Sequence, residues 1–356
     1  MKVHKVIKCK ITALTTIKTD QLEYEYNNLQ ELLQLERQGL DFLPIYDKIP
    51  LYSASRQQAL RFYRKIKEGK EYPISIRKDL IRLEKRDTHL AKYWCKLPVK
   101  SRRGGLWLAI KPHREFPDEF EFGESKVFRK KSKKDIMEWW IYITVVTEVR
   151  IKKSYSNILA IDLGSKVIAT VCGSFDSKPI FYGRSVRGIR RHYQYLRAEL
   201  GRKKLLGKIK QLSNKEQRTV RDVLNKISKQ IVDLAEETDS YIIAGDLKGI
   251  RRSARGRVFR RIVDNMPFYT LTKMIEYKAS ERGIKTVKIS ERGTSITCSR
   301  CGYSDSVNRK TQGLFRCKQC GFEINADVNG ARNLMRLSEG YMLSERAVSE
   351  PAQNPA

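Results

Sequence analysis

Four cysteines near the C-terminus, Cys298, Cys301, Cys317 and Cys320, follow the spacing C-x2-C-x15-C-x2-C. No other feature limits the possible folds as strongly. Two tight turns, each presenting two thiolates, close a tetrahedral S4 site of the zinc-ribbon kind. Gly302 and Gly321 each follow the second cysteine of a pair, where a knuckle turn calls for positive φ. The alternative, two coincidental cysteine pairs, is favoured neither by the spacing nor by the glycines. A four-thiolate site is closed, so one structural Zn2+ is expected. Carboxylates flank it: Glu291 lies seven positions before Cys298, and Asp327 seven positions after Cys320.

The charge balance narrows the partners. Among 356 residues, 72 Lys and Arg face 40 Asp and Glu, a formal charge of +32. Self-repulsion on that scale is relieved by a polyanion, which means nucleic acid or an anionic membrane. Membrane is the weaker choice, since there is no apolar run of about 18 residues and no secretory leader. Cys9, Cys95 and Cys172 are scattered, so a disulfide framework is not expected and a reducing, cytoplasmic compartment is.

Along the chain, residues 1–18 alternate with period two and predict a half-buried strand. Leucines at 29, 32, 33 and 35, then Ala59, Leu60, Phe62, Tyr63 and Ile66, predict two or more helices. Strand patterns return in RKDLIRL, GGLWLAIK and EWWIYITVVTEV, separated by turn-rich or basic stretches such as FRKKSKKD (128–135). A helical insertion within an all-β unit accounts for this order. Trp94, Trp107, Trp139 and Trp140 are read as core or barrel packing in preference to base-stacking platforms.

The second half reads as α/β. NILAIDLG (157–164) is a near-continuous apolar run, as in a strand covered on both faces, interrupted by Asp162. A carboxylate there is costly without a positive neighbour, and a metal ion is the simplest one; the alternative is that Asp162 caps the turn through Gly164 and Ser165. Residues 183–230 hold 15 basic and 3 acidic residues over a helical pattern. YIIAGDL (241–247) is a second buried strand. The stretch 248–261 has seven basic residues of fourteen and no acid, and reads as a loop whose Arg251, Arg252, Arg255, Arg257, Arg260 and Arg261 meet phosphates. Pro267 opens a helix that ends at Gly283, and IKTVKIS (284–290) is a third strand leading to Glu291. A short helix runs from Asp327 to about Leu337, and the last 18 residues, with net charge −2, read as a loose tail.

IDLG (161–164), a ribbon opening with TSITCSRCG, and NADVNGARNL (325–334) directly after it resemble the TnpB family, the transposon-encoded RNA-guided nucleases related to type V CRISPR effectors. The likeness covers about 155–338 strongly and extends weakly to LYSASRQQALRFYRK (51–65). It implies an α/β RNase H-like (RuvC) nuclease domain with an inserted zinc ribbon, preceded by a β-barrel-like domain carrying a helical insertion. The implied divisions are a wedge-like barrel at 1–18 and 75–153, a helical recognition insert at 19–74, the nuclease domain at 154–293 and 325–338, the ribbon at 294–324, and a flexible tail at 339–356.

In such nucleases three carboxylates hold two divalent ions that clamp the scissile phosphate. The resemblance assigns the first to Asp162 and the third to Asp327, which can also cap the last helix. At the second the chain departs from the pattern: where the family has E-D-L, this sequence has Gly245-Asp246-Leu247. Three readings stay open. Glu291, one parallel strand away at about 4.8 Å, supplies the ligand; Asp246 serves with a shorter arm; or the nuclease is inactive. Glu291 could also be a surface ion-pair partner of Arg282 or Arg292. The implied activity is that of an RNA-guided DNA endonuclease of a transposable element, with guide RNA, target double-stranded DNA, two Mg2+ and one Zn2+. It would act at the nucleoid in a prokaryotic cytoplasm. The competing functions are a nuclease-inactive RNA-guided repressor and an RNA-independent DNA-binding accessory of a transposon.

Overall fold

The computed structural model describes residues 1–38, 48–63, 66–132, 135–175, 178–246 and 266–349. The chain divides into two compact units, Met1–Glu148 and Val149–Ala356.

In the first unit, alternation of apolar and polar residues builds one eight-stranded antiparallel sheet. Its strands are β1 (Lys2–Thr12), β2 (Ile74–Ile76), β3 (Arg82–Lys85), β4 (Tyr93–Val99), β5 (Arg102–Pro112), β6 (Glu121–Phe122), β7 (Ser125–Lys131) and β8 (Met137–Glu148), in the order β2-β7-β8-β1-β5-β4-β3, with β6 also on β8. Among the described residues, helices α1 (Thr16–Arg37) and α2 (Ser53–Phe62) fall between β1 and β2. Leu22, Tyr26, Leu29, Leu32 and Leu33 of α1 recur at helical spacing and share one core with Ile74 and Ile76 of β2 and Cys95 and Leu97 of β4. The sheet therefore surrounds a common core as a barrel does, although among the described residues its pairing path does not close. Glu25, fully buried on α1, accepts the backbone N–H groups of Tyr52 (3.0 Å) and Lys100 (2.9 Å), tying the helical insertion to the strands.

Two expected segments differ in detail. RKDLIRL (77–83) is strand only from Arg82, with Leu80, Ile81 and Leu83 packed on the core; Phe128–Lys131, expected outside the strands, lies within β7. Trp139 is 2% exposed and meets Tyr26 edge-on at 5.5 Å, as expected of core packing, whereas Trp94, Trp107 and Trp140 stay partly exposed.

The second unit is a mixed sheet of β9 (Asn157–Asp162), β10 (Ala169–Gly173), β11 (Ile180–Tyr182), β12 (Ser240–Asp246) and β13 (Thr286–Ser290), ordered β11-β10-β9-β12-β13. β9, β12 and β13 run parallel; β10 and β11 are antiparallel additions that no strong sequence pattern announced. The helices among the described residues are α3 (Arg184–Arg202), α4 (Leu206–Glu237), α5 (Phe268–Glu281) and α6 (Ala326–Ser349). Leu159 and Ile161 of β9 pack with Leu224, Ile231 and Leu271 on one face, while Ala160 packs with Tyr241, Ile243 and Leu334 on the other. That double cover explains the unbroken apolar runs. The backbone of α6 stays helical to Ser349, so the expected loose tail from 339 begins as helix. No described helix is long and apolar enough to cross a membrane.

Candidate functional site

Parallel pairing brings three strand ends to one edge. Ile161 of β9 pairs with Ala244 of β12, while Gly245 and Asp246 pair with Ile289 and Ser290 of β13. Asp162, Gly245-Asp246 and Glu291 therefore leave the sheet side by side, and Asp327 enters from the first turn of α6. Small residues make the approach possible. The Asp162 carboxylate lies about 3.0 Å from where a Cβ on Gly330 of α6 would stand, and Asp327 Oδ2 3.7 Å from the same point on Gly164. Most telling is Gly245: the Glu291 side chain, from its Cγ to its carboxylate, occupies the space a Cβ there would fill. Glu291 thus reaches one strand over, into the place of the missing side chain, next to Asp162.

Burial, and for Asp162 and Glu291 a neighbouring carboxylate, raises the proton affinity of each acid in this cluster. Burial, then Glu291, then Asp327 push Asp162 well above the usual carboxylate range, against the pull of Arg309. Burial and then Asp246 raise Glu291 to about 7. Burial raises Asp327, with Arg309 and Lys166 opposing. Asp162 is the member on which both other carboxylates act. Glu291 Oε1 is buried with no hydrogen-bond partner among the described residues. An orphaned carboxylate oxygen beside two further acids is a site short of positive charge, and divalent cations supply that. The three acids do not close as tightly as the thiolates: among the described residues only the cysteines form a set with every ligand atom within 4.8 Å of the others.

The four cysteines meet as the spacing predicts. Sγ of Cys298 is 3.8 Å from that of Cys320, and Sγ of Cys301 is 3.6 Å from that of Cys317. Tetrahedral thiolates at the usual zinc distance stand about 3.8 Å apart, far beyond a disulfide bond. The two knuckles match: the N–H of Gly302 donates to Cys298 O (2.9 Å) and that of Gly321 to Cys317 O (3.1 Å), with φ +82° and +69°. The cluster could hold a metal.

Sequence reasoning missed the parts that join the cysteine cluster to the acids. Asn329 and Asn333, one turn apart on α6, are 0% and 2% exposed. Their amide groups donate to Thr297 O at 2.8 and 2.7 Å, and Asn333 also donates to Thr294 O at 2.9 Å. Asn329 Oδ1 accepts the N–H of Ser299 at 3.0 Å. Two buried side chains thereby fix residues 294–299, between Glu291 and the first knuckle, to the helix that bears Asp327. The signal was the Asn-x3-Asn spacing inside NADVNGARNL, which places both amides on one helix face. Arg309, between the two cysteine pairs, stands 4.0 Å from Asp327 and was likewise unannounced. Asp246 ends β12 beside Glu291. Arg251, Arg252, Arg255, Arg257, Arg260 and Arg261 lie outside the described residues.

Comparison with known proteins agrees with this layout. The family model described as Cas12f1-like, TNB domain matches residues 268–334. CRISPR-associated endodeoxyribonuclease Cas12f1 of Sulfoacidibacillus thermotolerans is 33% identical over 236 residues, covering 61% of this chain and 53% of the relative. TnpB-like protein MJ0751 of Methanocaldococcus jannaschii is 27% identical over 238 residues, covering 64% of this chain and 83% of the relative. The chain is thus similar to both TnpB-like and Cas12f proteins. Its fold is similar to that of the protein in a solved Cas12f1-sgRNA-target DNA complex, with TM-score 0.59 and 14% identity, covering 89% of this chain and 80% of that one. The match spans about half the length of the Cas12f1 relative and 42% of the Cas12f2 relative from a Micrarchaeota archaeon.

Proposed function

We propose that this chain is a TnpB/Cas12f-type RNA-guided DNA endonuclease of a transposable element, and that its second catalytic carboxylate is Glu291 in place of a residue at 245. The occupation of the Gly245 space by Glu291, beside Asp162, carries this reading. Asp162, Glu291 and Asp327 would hold two Mg2+, which polarise the scissile phosphate and activate a water. Asp162 is central because both other acids act on it. Arg309 stands where it offsets negative charge next to Asp327 and can meet a phosphate oxygen. Gly330 and Gly164, lacking side chains, let the backbone approach the Asp162 and Asp327 carboxylates closely.

The other assignments follow the same reading. The mixed sheet and α6 form the RuvC-like domain (154–293 and 325–338), and 294–324 is an inserted ribbon holding one structural Zn2+. Residues 1–18 and 75–153 form the wedge-like domain with its helical insert at 19–74. Guide RNA selects the target by base pairing, and the protein holds both through basic surfaces, the arginines of 248–261 among them. Its place of action is the prokaryotic nucleoid.

The decisive experiment compares guided, Mg2+-dependent cleavage of double-stranded DNA by Asp162→Ala, Asp327→Ala, Glu291→Ala and Asp246→Ala. The first three should all abolish cleavage while guided binding persists, and Asp246→Ala should be mild. Full activity in Glu291→Ala with loss in Asp246→Ala would move the role to Asp246. No cleavage by the intact protein with its own guide would leave a guided binder.

A further inference from the structure

We propose that the outward face of β1, β7 and β8 is a stacking platform for unpaired RNA nucleotides. Register sets its pattern. On β8, Trp140 stands opposite Lys10 of β1 and Phe128 of β7, and Tyr142 stands opposite Lys8 and Lys126. Lys111 of β5 continues the first row beyond Lys10. The intervening residues, Cys9, Val127, Ile141 and Ile143, point into the core. Period-two alternation thus sends three aromatic rings outward, interleaved with lysines.

An outward sheet face needs no large rings for folding, since its inner side already supplies the apolar burial. Here Phe128, Trp140 and Tyr142 stay partly exposed. Phe128 and Tyr142 lie 4.5 Å apart, and the Lys130 ammonium stands 4.8 Å from the Phe128 ring and 4.4 Å from that of Tyr142. Lys8 lies 5.5 Å from Tyr142 on the β1 side. Aromatic faces framed by cations are what a single strand requires: bases stack on the rings and phosphates meet the ammonium groups. Trp140 and Tyr142 are two residues apart on one strand, about 6.7 Å, so successive unstacked bases can each take a ring.

RNA is favoured by Glu138, the acid beside Trp140. Glu138 accepts Lys10 Nζ on Oε1 (2.7 Å) and Trp140 Nε1 on Oε2 (3.2 Å). It would repel a phosphate, yet each oxygen keeps a lone pair that can accept a ribose 2′-hydroxyl. A duplex offers no open base to these rings. The inference does not depend on cleavage: an inactive nuclease would leave it intact.

The test is photocrosslinking of the full-length protein to a short single-stranded RNA carrying 5-iodouridine, with the crosslinked peptides mapped by mass spectrometry. Crosslinks within 128–142 are expected. In parallel, Phe128→Ala and Trp140→Ala should weaken binding of the same RNA by about five- to a hundredfold and leave duplex RNA binding unchanged. Trp140→Phe and Phe128→Tyr, which keep the rings, should bind nearly as wild type and guard against a folding defect. Lys8→Gln with Lys126→Gln should instead flatten the salt dependence. Crosslinks confined to other segments, or equal losses for single-stranded and duplex RNA, would overturn the platform. Equal affinity for a DNA oligonucleotide of the same sequence would overturn its assignment to RNA.

Discussion

The carboxylate of Glu291 fills the space that any side chain at Gly245 would need. One position on β12 is bare so that the residue after β13 can use the opening, and the acid arrives beside Asp162 from a neighbouring strand.

Gly245→Ala should therefore damage cleavage although Gly245 offers no ligand, because its methyl displaces Glu291. The loss should approach that of Glu291→Ala. The double variant Gly245→Glu/Glu291→Ala rebuilds an E-D-L strand end and should recover cleavage to within about tenfold of wild type, a strong non-additivity of the kind direct neighbours show. Cleavage assays on the two single variants and the double variant check this; additive losses would separate the two positions.

Metal-free stability should fall as pH rises toward neutrality. Burial and Asp246 raise Glu291 from 4.5 to about 7. The folded chain thus binds this proton more tightly than the unfolded one. The resulting stability is complete below about pH 4.5 and lost as pH passes about 7, a contribution on the order of 3 kcal/mol. Urea denaturation in EDTA across that range should show the slope, reduced in Glu291→Gln; Mg2+ should oppose the loss in wild type more than in the variant. Superimposable curves would refute the electrostatic account.

Purified protein should carry about one zinc per chain, and Cys317→Ser should lose most of it. Because Asn329 and Asn333 tie residues 294–299 to α6, the same variant should also cut cleavage. Elemental analysis beside the cleavage assay decides; full zinc content in Cys317→Ser would end the assignment.

Asn333→Ala should destabilise the chain by about 1–3 kcal/mol, since it removes two buried hydrogen bonds, to the carbonyls of Thr294 and Thr297, and leaves Asn329 as their remaining side-chain donor. Zinc content should stay near wild type while the cleavage rate falls, with guided binding little changed. Thermal melting, metal analysis and single-turnover cleavage separate these effects. A variant with reduced stability but wild-type cleavage would make Asn333 purely structural.

Much of the site could be read in the sequence because its ingredients are local. Two cysteine pairs with their glycines define the knuckles, and an apolar run ending in Asp162 defines a covered strand. Parallel pairing of three such runs then brings Asp162, Asp246 and Glu291 to one edge. What stayed hidden was set by contacts distant in sequence. Nothing near Gly245 says that its emptiness is used by a residue 46 positions later. Asn329 and Asn333 look like ordinary helix polar residues until the carbonyls they satisfy are seen. β10 and β11 are short and flanked by turns, so their alternation is weak. The tryptophans divided by face: Trp139 turns inward, while Trp140, its neighbour, turns outward by strand geometry alone.

The shared volume at Gly245 also restricts how such a sequence can change. Glutamate at 245 and at 291 together would collide, and neither would leave the edge without its acid. Among related chains the two positions should behave as alternatives: a small residue at 245 wherever the ribbon is preceded by glutamate, and a non-acidic residue at 291 wherever the strand ends in E-D. A lineage moving from one arrangement to the other must cross a crowded or a silent intermediate. Wherever the two forms meet in descent, the pair should have changed together or passed through a chain that binds without cutting.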